Sequence, residues 1–224
     1  GLKRRGYTPD SIKNFCEQIG ISKKETTIDM SILEEAVRHD LNKKALRKMC
    51  VINPIKLVIT NYEEDKIEEL KAPNHPQDDS MGQRILKFGR EIYIEREDFL
   101  ENPPKKFFRL SPGKEVRLRY SYVIKCEEII KDKASGEIKE IHCTYDPHTL
   151  GVKPEGRKVK GIIHWVETKS CKKCEVRLYD RLFNIPEPDR QEKSYLEYLN
   201  PKSIEIREKC FIEQNSSEYT SNTS

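Results

Sequence analysis

Residues 105–125 read KKFFRLSPGKEVRLRYSYVIK, with cations and aromatic rings alternating at the two-residue period of a β-strand. The period predicts an extended segment over 116–125, with Val116, Leu118 and Tyr120 on one face and Arg117 and Arg119 side by side on the other. Such a surface suits a nucleic-acid strand. Lysine and arginine neutralise phosphate, arginine reads base edges with paired donors, and the rings of Phe107, Phe108 and Tyr120 suit unpaired bases. A salt-bridge ladder would use the same arginines, but Glu115 is the only acid in the stretch, which favours an external anion.

Outward from this segment, further short alternating runs bounded by turn residues predict strands at 55–60, 91–95, 137–144, 161–167, 175–180 and 203–207. Ala134-Ser135-Gly136 marks a hairpin between the strands at 116–125 and 137–144. With no helical pattern between them, these strands favour antiparallel barrels over a parallel α/β sheet. The first 46 residues differ. Thr8 followed by Pro9 is a helix start, Gly20 a stop, and a second helix is expected from Asp29 to Asn42. Ile12, Phe15, Cys16 and Ile19 on the first, and Ile32, Leu33, Ala36, Val37 and Leu41 on the second, read as core-facing stripes. The fold class is thus mainly β with an N-terminal helical subdomain: helices over 1–46, β-barrels over 47–213, and a polar, disordered tail over 214–224.

The net charge is only +4, from 42 basic and 38 acidic residues, so attraction to a polyanion must come from local clusters. Four exist: Lys3, Arg4 and Arg5; Lys43, Lys44, Arg47 and Lys48; Lys105, Lys106, Arg109, Lys114, Arg117 and Arg119; and Arg157, Lys158 and Lys160. Together they make a tract longer than a single-strand groove, as a structured RNA requires. Seven unpatterned cysteines argue for a reducing, cytoplasmic setting, and no apolar run is long enough for a membrane span. No phosphate loop, nucleophile elbow or HExxH pair is present, and the histidines at 39, 75, 142, 148 and 164 are scattered. Cys171 and Cys174 have the spacing of half a zinc site, but no second close pair completes it, and a hairpin turn explains them. A start at Gly1 reads as a piece of something longer.

GLKRRGYTPDSI, RKMCVINPIKLVITNY, APNHP, MGQR, REIYIEREDF, KKFFRLSPGKEVRLR, CTYD, GRKVKGIIHWV, VRLYDRLF and NPKSIEIRE, in this order, resemble the C-terminal half of the glutaminyl-tRNA synthetases, class I aminoacyl-tRNA synthetases. The resemblance covers nearly the whole chain except the tail. It implies a helical subdomain followed by two antiparallel barrels that grip the anticodon loop, with the catalytic fold and its nucleotide-binding signatures upstream. Position by position, Arg47 matches an arginine at the middle anticodon base, Arg109 one at the third base, and Arg117 and Arg119 a pair serving the first base and its neighbouring phosphate. Lys105 and Lys106 fall in the same segment and are further anticodon-binding candidates; Phe108 stands where bacterial members carry lysine. Arg4, Arg5, Lys43 and Lys44 are expected on the RNA backbone. FIEQNSSEYTSNTS stands where the family has further strands, so the distal barrel is expected to be incomplete with an unpaired edge. The resemblance further implies tRNA(Gln) as partner rather than DNA or membrane, no catalytic, cofactor or metal residue in this stretch, and ATP with Mg²⁺ in the full enzyme. The eukaryotic or archaeal glutamyl-tRNA synthetases, and a non-catalytic RNA-binding module, are the alternatives.

Overall fold

In the computed structural model of the chain, residues 1–24 and 26–214 are described, and the tail expected to be disordered lies outside them apart from Gln214. The described residues form two compact units, one of residues 1–47 and 73–83, the other of residues 48–72 and 84–214.

The first unit is built on α1 (Pro9–Ile19) and α2 (Met30–Lys44). Their ends follow the capping chemistry of the sequence. Thr8 Oγ1 accepts from Ser11 N at 3.0 Å, and Gly20, at φ 68°, closes α1 by donating to Cys16 O. Asp29 caps α2, and Lys43 and Lys44 sit in its last turn, where the helix dipole favours cations. A polar clasp holds the pair: Thr8 donates to Asp40 at 2.6 Å, and Lys44 bridges Asp40 and Asp10, both at 2.6 Å. Hydrogen bonds from Lys44 and then Thr8 hold the Asp40 carboxyl below its ordinary range. The apolar stripe of α1 is only partly covered. Phe15 is half-buried, but Ile12 and Ile19 each remain 37% exposed and Cys16 is exposed, whereas on α2 Ala36 is buried and its neighbours half-buried. Two short helices share one seam, and that seam falls on Thr8, Ser11 and Asp40 instead of the stripe.

The second unit is β-rich. The strands are β1 (Cys50–Val51), β2 (Pro54–Ile59), β3 (Glu68–Pro73), β4 (Gln83–Phe88), β5 (Glu91–Glu95), β6 (Glu115–Leu118), β7 (Val123–Lys131), β8 (Ile138–Asp146), β9 (Ile162–Ile163), β10 (Trp165–Glu167), β11 (Lys172–Tyr179) and β12 (Ile204–Ile212). Seven of them form one sheet in the order β10-β5-β2-β8-β7-β6-β9. Its two edge strands, β9 and β10, are separated in the chain by His164 alone. The edges therefore meet, and the sheet all but closes into a barrel. Neighbours are antiparallel except β2 with β8 and β6 with β9, two pairs whose strands lie far apart in sequence. At the seam Leu118 faces Ile163 and Trp165 faces Ile94, while Arg117 N and Arg119 N donate to Gly161 O and Ile163 O at 2.9 and 2.8 Å.

Inward positions alternate as the pleat requires. Leu57, Ile59, Ile92, Ile94, Leu118, Ile124 and Ile141 are fully buried around Phe88, whose ring lies 5.2–5.3 Å from those of Tyr62, Tyr122 and Trp165. The β7–β8 hairpin turns at Gly136, φ 72°, with Asp132 Oδ1 accepting from Ala134 N and Ser135 N. The segment 116–125 is not one strand. It breaks into β6 and β7 at a tight turn in which Tyr120 adopts φ 62° and Ser121 N donates to Leu118 O. Arg119 therefore lies in the turn, not beside Arg117 on the strand.

Of the other two sheets, one is the pair β3-β4, and the larger has the order β1-β12-β11. Among the described residues it is three-stranded and open, with Ile204 42% and Ile206 51% exposed. Phe211 and Ile212, expected to fall beyond the last strand, complete β12 against Val51 and Cys50. Phe211 also stacks on Tyr93 at 4.5 Å, and Glu213 accepts from buried Arg84 of β4 at 2.5 Å.

The seam carries a titratable pair. His164 Nε2 lies 3.0 Å from Cys50 O and 3.5 Å from Glu95 Oε1, and Glu95 also accepts from Ile52 N and Asn53 N at 2.7 and 2.9 Å. The bond to Glu95 raises the His164 pKa above its ordinary 6.5 in spite of burial. Burial works against the Glu95 carboxylate, yet the bonds from His164 and the two amides hold its pKa below 4.5. The His164 contribution to stability is therefore complete below pH 6.5 and lost as pH rises through its raised folded-state value; that of Glu95 is present above pH 4.5 and lost as pH falls through its lowered one. Melting temperatures should fall as pH is raised above neutrality, and His164→Gln should remove that decline; an identical slope in the variant would refute the assignment. Gly161→Ala should destabilise the barrel by about 1–3 kcal/mol in denaturant titrations, because its Cβ would stand 2.0 Å from the Phe108 carbonyl oxygen.

Candidate nucleic-acid interface

The loop between β5 and β6 carries the charged and aromatic residues that opened the sequence reading. It is pinned to the barrel at Leu110, which is fully buried, donates from its amide to Asp98 O at 3.0 Å and accepts from Leu100 N at 3.2 Å. Pro104 O accepts from Phe107 N at 3.2 Å, closing a turn in which Lys106 has φ 74°. The segment after β8 folds against the same side, with the backbone of Gly161 under that of Phe108. Between the two lies a groove of about 690 Å³ lined by Phe107, Phe108, Arg109, Lys114, Lys125, Arg157, Lys158 and Lys160, with Glu115 the one acid.

Folding brings carboxylates to two of the arginines. Arg109 pairs with Asp98 at 2.7 Å, and Arg157 pairs with Glu115 at 2.8 Å and Asp146 at 2.6 Å. The scarcity of acids along 105–125 thus does not carry into three dimensions, because Asp98 and Asp146 arrive from other segments. Burial pushes the Asp98 carboxyl up, and the adjacent Arg109 charge opposes that rise. Half-exposed Arg109 is consequently held by a buried acid, and its Nη1 also donates to Glu97 O at 3.4 Å. Lys105, Lys106, Lys114, Lys158 and Lys160 are exposed, and among the described residues none of them has a carboxylate partner.

Arg117 is more committed. Nη1 donates to Ser121 O at 2.9 Å and Thr149 O at 2.6 Å, and Nη2 donates to Val152 O. These bonds clasp the turn after β6 to the loop after β8, leaving about two of its five N–H donors for anything else. Exposed Arg119 lies 6.0 Å from the Tyr120 ring, and its carbonyl accepts from Trp165 Nε1 at 3.0 Å. A second cavity of about 460 Å³ opens here, lined by Arg117, Tyr120, Leu150, Lys71 and Lys153. Lys71 and Lys153 escaped the sequence reading, since isolated cations on distant segments carry no local signal.

In the helical unit, Arg4 and Arg5 lie exposed on a short 3₁₀ turn, Lys3–Arg5, and Lys43 is exposed at the end of α2. Lys44, expected on an RNA backbone, is half-exposed and pairs with Asp10 and Asp40, because the helix seam places two carboxylates at its ammonium. Arg47 Nη2 donates to Asn42 O and Oδ1, both at 3.1 Å, which fixes its guanidinium against the end of α2. Among the described residues no three metal-ligating side chains are grouped to hold an ion, and no helix is long and apolar enough to cross a membrane.

Comparison with known proteins agrees with this basic, barrel-borne surface. The sequence profile for "tRNA synthetases class I (E and Q), anti-codon binding domain" matches residues 45–146, and a second profile of the same description matches residues 162–224. The glutamine--tRNA ligase of Pseudomonas putida is 54% identical over 215 residues, 95% of this chain and 38% of the relative. That of Clostridium perfringens is 55% identical over 214 residues, again 95% and 38%, and that of Alteromonas mediterranea is 54% identical over 209 residues, 93% and 37%. The chain thus spans about 38% of the length of the curated relatives it matches. With both profiles covering the barrel, its seam and the open sheet, the chain belongs to the anticodon-binding family of the class I tRNA synthetases for Glu and Gln.

Proposed function

We propose that this chain is the anticodon-reading part of a cytoplasmic glutamine--tRNA ligase, the whole protein joining glutamine to tRNA(Gln) with ATP and Mg²⁺. The observation that carries the reading is the identity of more than half of the residues to glutamine--tRNA ligases over 95% of the chain, on a barrel whose groove is lined by cations. Splayed anticodon bases meet arginine donors, and the lysines around them neutralise phosphate without reading sequence.

Arg109 and Arg119 are assigned to the bases, a reading supported by Arg109 being oriented by Asp98 and Arg119 being exposed on the β6–β7 turn. Arg117 has a double part: it fixes the loop that walls the second cavity and offers its remaining donors to the first anticodon base or its phosphate. Arg47 is assigned to the middle base, with Asn42 fixing its angle of approach. Lys105 and Lys106 are assigned beside the anticodon bases as phosphate-neutralising cations, and Arg4, Arg5, Lys43 and Lys44 to the RNA backbone, Lys44 from within its ion pairs with Asp10 and Asp40.

The test is equilibrium binding to tRNA(Gln) transcripts altered at single anticodon positions. Arg109→Ala should cost about 1–3 kcal/mol and relax discrimination at one position, and Asp98→Asn should give a weaker form of the same change by loosening the guanidinium. Lys105→Ala should weaken all transcripts alike and reduce the salt slope by about one. Equal affinity of the unaltered chain for every anticodon would remove the base-reading role.

A further inference from the structure

We propose that Phe108 is a stacking platform for one unpaired nucleotide of the bound RNA, with Lys160 and Lys114 neutralising the phosphates beside it. The proposal rests on the anticodon reading and adds a subsite made by groups outside the arginine set. Phe108 is 51% exposed, an unusual setting for a phenyl ring, and it lies in the wall of the basic groove. Its ring is already in use as a π surface: the Lys160 ammonium lies 4.9 Å from the centroid. Its backbone is fixed from both directions. Gly161 packs against the Phe108 carbonyl so closely that any side chain there would collide, and Leu110, two residues on, is buried in the barrel.

These features meet what stacking needs. A base laid on the ring removes apolar surface from water, and a ring on a fixed backbone loses little freedom when covered. Lysine at one face keeps a positive charge within reach of the phosphate that follows the stacked base. An apolar side chain of a protein would cover the same ring, but Arg109, Lys114, Lys125, Arg157, Lys158 and Lys160 around it select a polyanion. Every base has a π face, so the subsite adds affinity and orientation and does not itself discriminate sequence.

The experiment uses the unaltered chain, Phe108→Ala, Phe108→Leu and Phe108→Trp with the anticodon stem–loop of tRNA(Gln), and with stem–loops made abasic at one loop position at a time. Phe108→Ala should weaken binding about tenfold or more, with Phe108→Leu recovering little because it restores bulk without a flat face. The loss should vanish on one abasic stem–loop, the one that lacks the stacked base. Trp165 is buried, so in Phe108→Trp the new indole should report binding by a change in emission. Melting temperatures of the variants should match that of the unaltered chain, since the side chain is exposed. A loss below twofold, or one of equal size on every abasic stem–loop, overturns the subsite and leaves the anticodon reading standing. Equal affinity of the unaltered chain for all anticodon sequences overturns the anticodon reading, and the subsite with it.

Discussion

The barrel depends on one short piece of chain that hydrogen-bonds in two directions. Residues 161–163 pair with β6 and residues 165–167 with β5, so seven strands that would otherwise form an open twisted sheet have their two edges joined by a single residue. An open sheet would expose the amides and carbonyls of its edges, and the two short strands of this strap cover part of β6 and of β5. The same piece places Trp165 under Arg119, Gly161 under Phe108 and His164 between Glu95 and the carbonyl of Cys50. Core, groove and titratable seam are thus set by seven consecutive residues.

Around that seam the charges sort into two kinds. Arg109, Arg117 and Arg157 are held by fixed partners, a buried acid, three carbonyls and two surface carboxylates respectively. The lysines at 105, 106, 114, 158 and 160 are exposed and hold no such partner among the described residues. A planar fork gains specificity from being held at one angle, while a lysine neutralises phosphate from many positions. The division lets one surface combine rigidly held guanidinium groups with an adaptable electrostatic field.

How much of this was legible depends on whether the cause is local. Thr8-Pro9, Gly20, Asp29 and the Ala134-Ser135-Gly136 turn act within a few residues, and they appear where their chemistry puts them. The family segments likewise carried the helical start and the barrel. The break inside 116–125 was illegible because Tyr120 takes a left-handed turn conformation that glycine or asparagine would have announced. β4 was hidden because an arginine occupies an inward position, satisfied by Glu213 from 129 residues away. Asp98 and Asp146 could not be counted against their arginines, since only the closed barrel brings them together, and the α1 stripe looked like core because amphipathic spacing does not say which face finds a partner.

Gly161 stands both in the closing strap and beneath the wall of the groove, so occupancy of the groove and closure of the barrel are thermodynamically linked. Any ligand that requires the wall in place must stabilise the closed form by the free energy it gains on binding, and any looseness at the seam must be deducted from its affinity. For this chain, a change that loosens the seam weakens occupancy of the groove even where every contact inside the groove is kept.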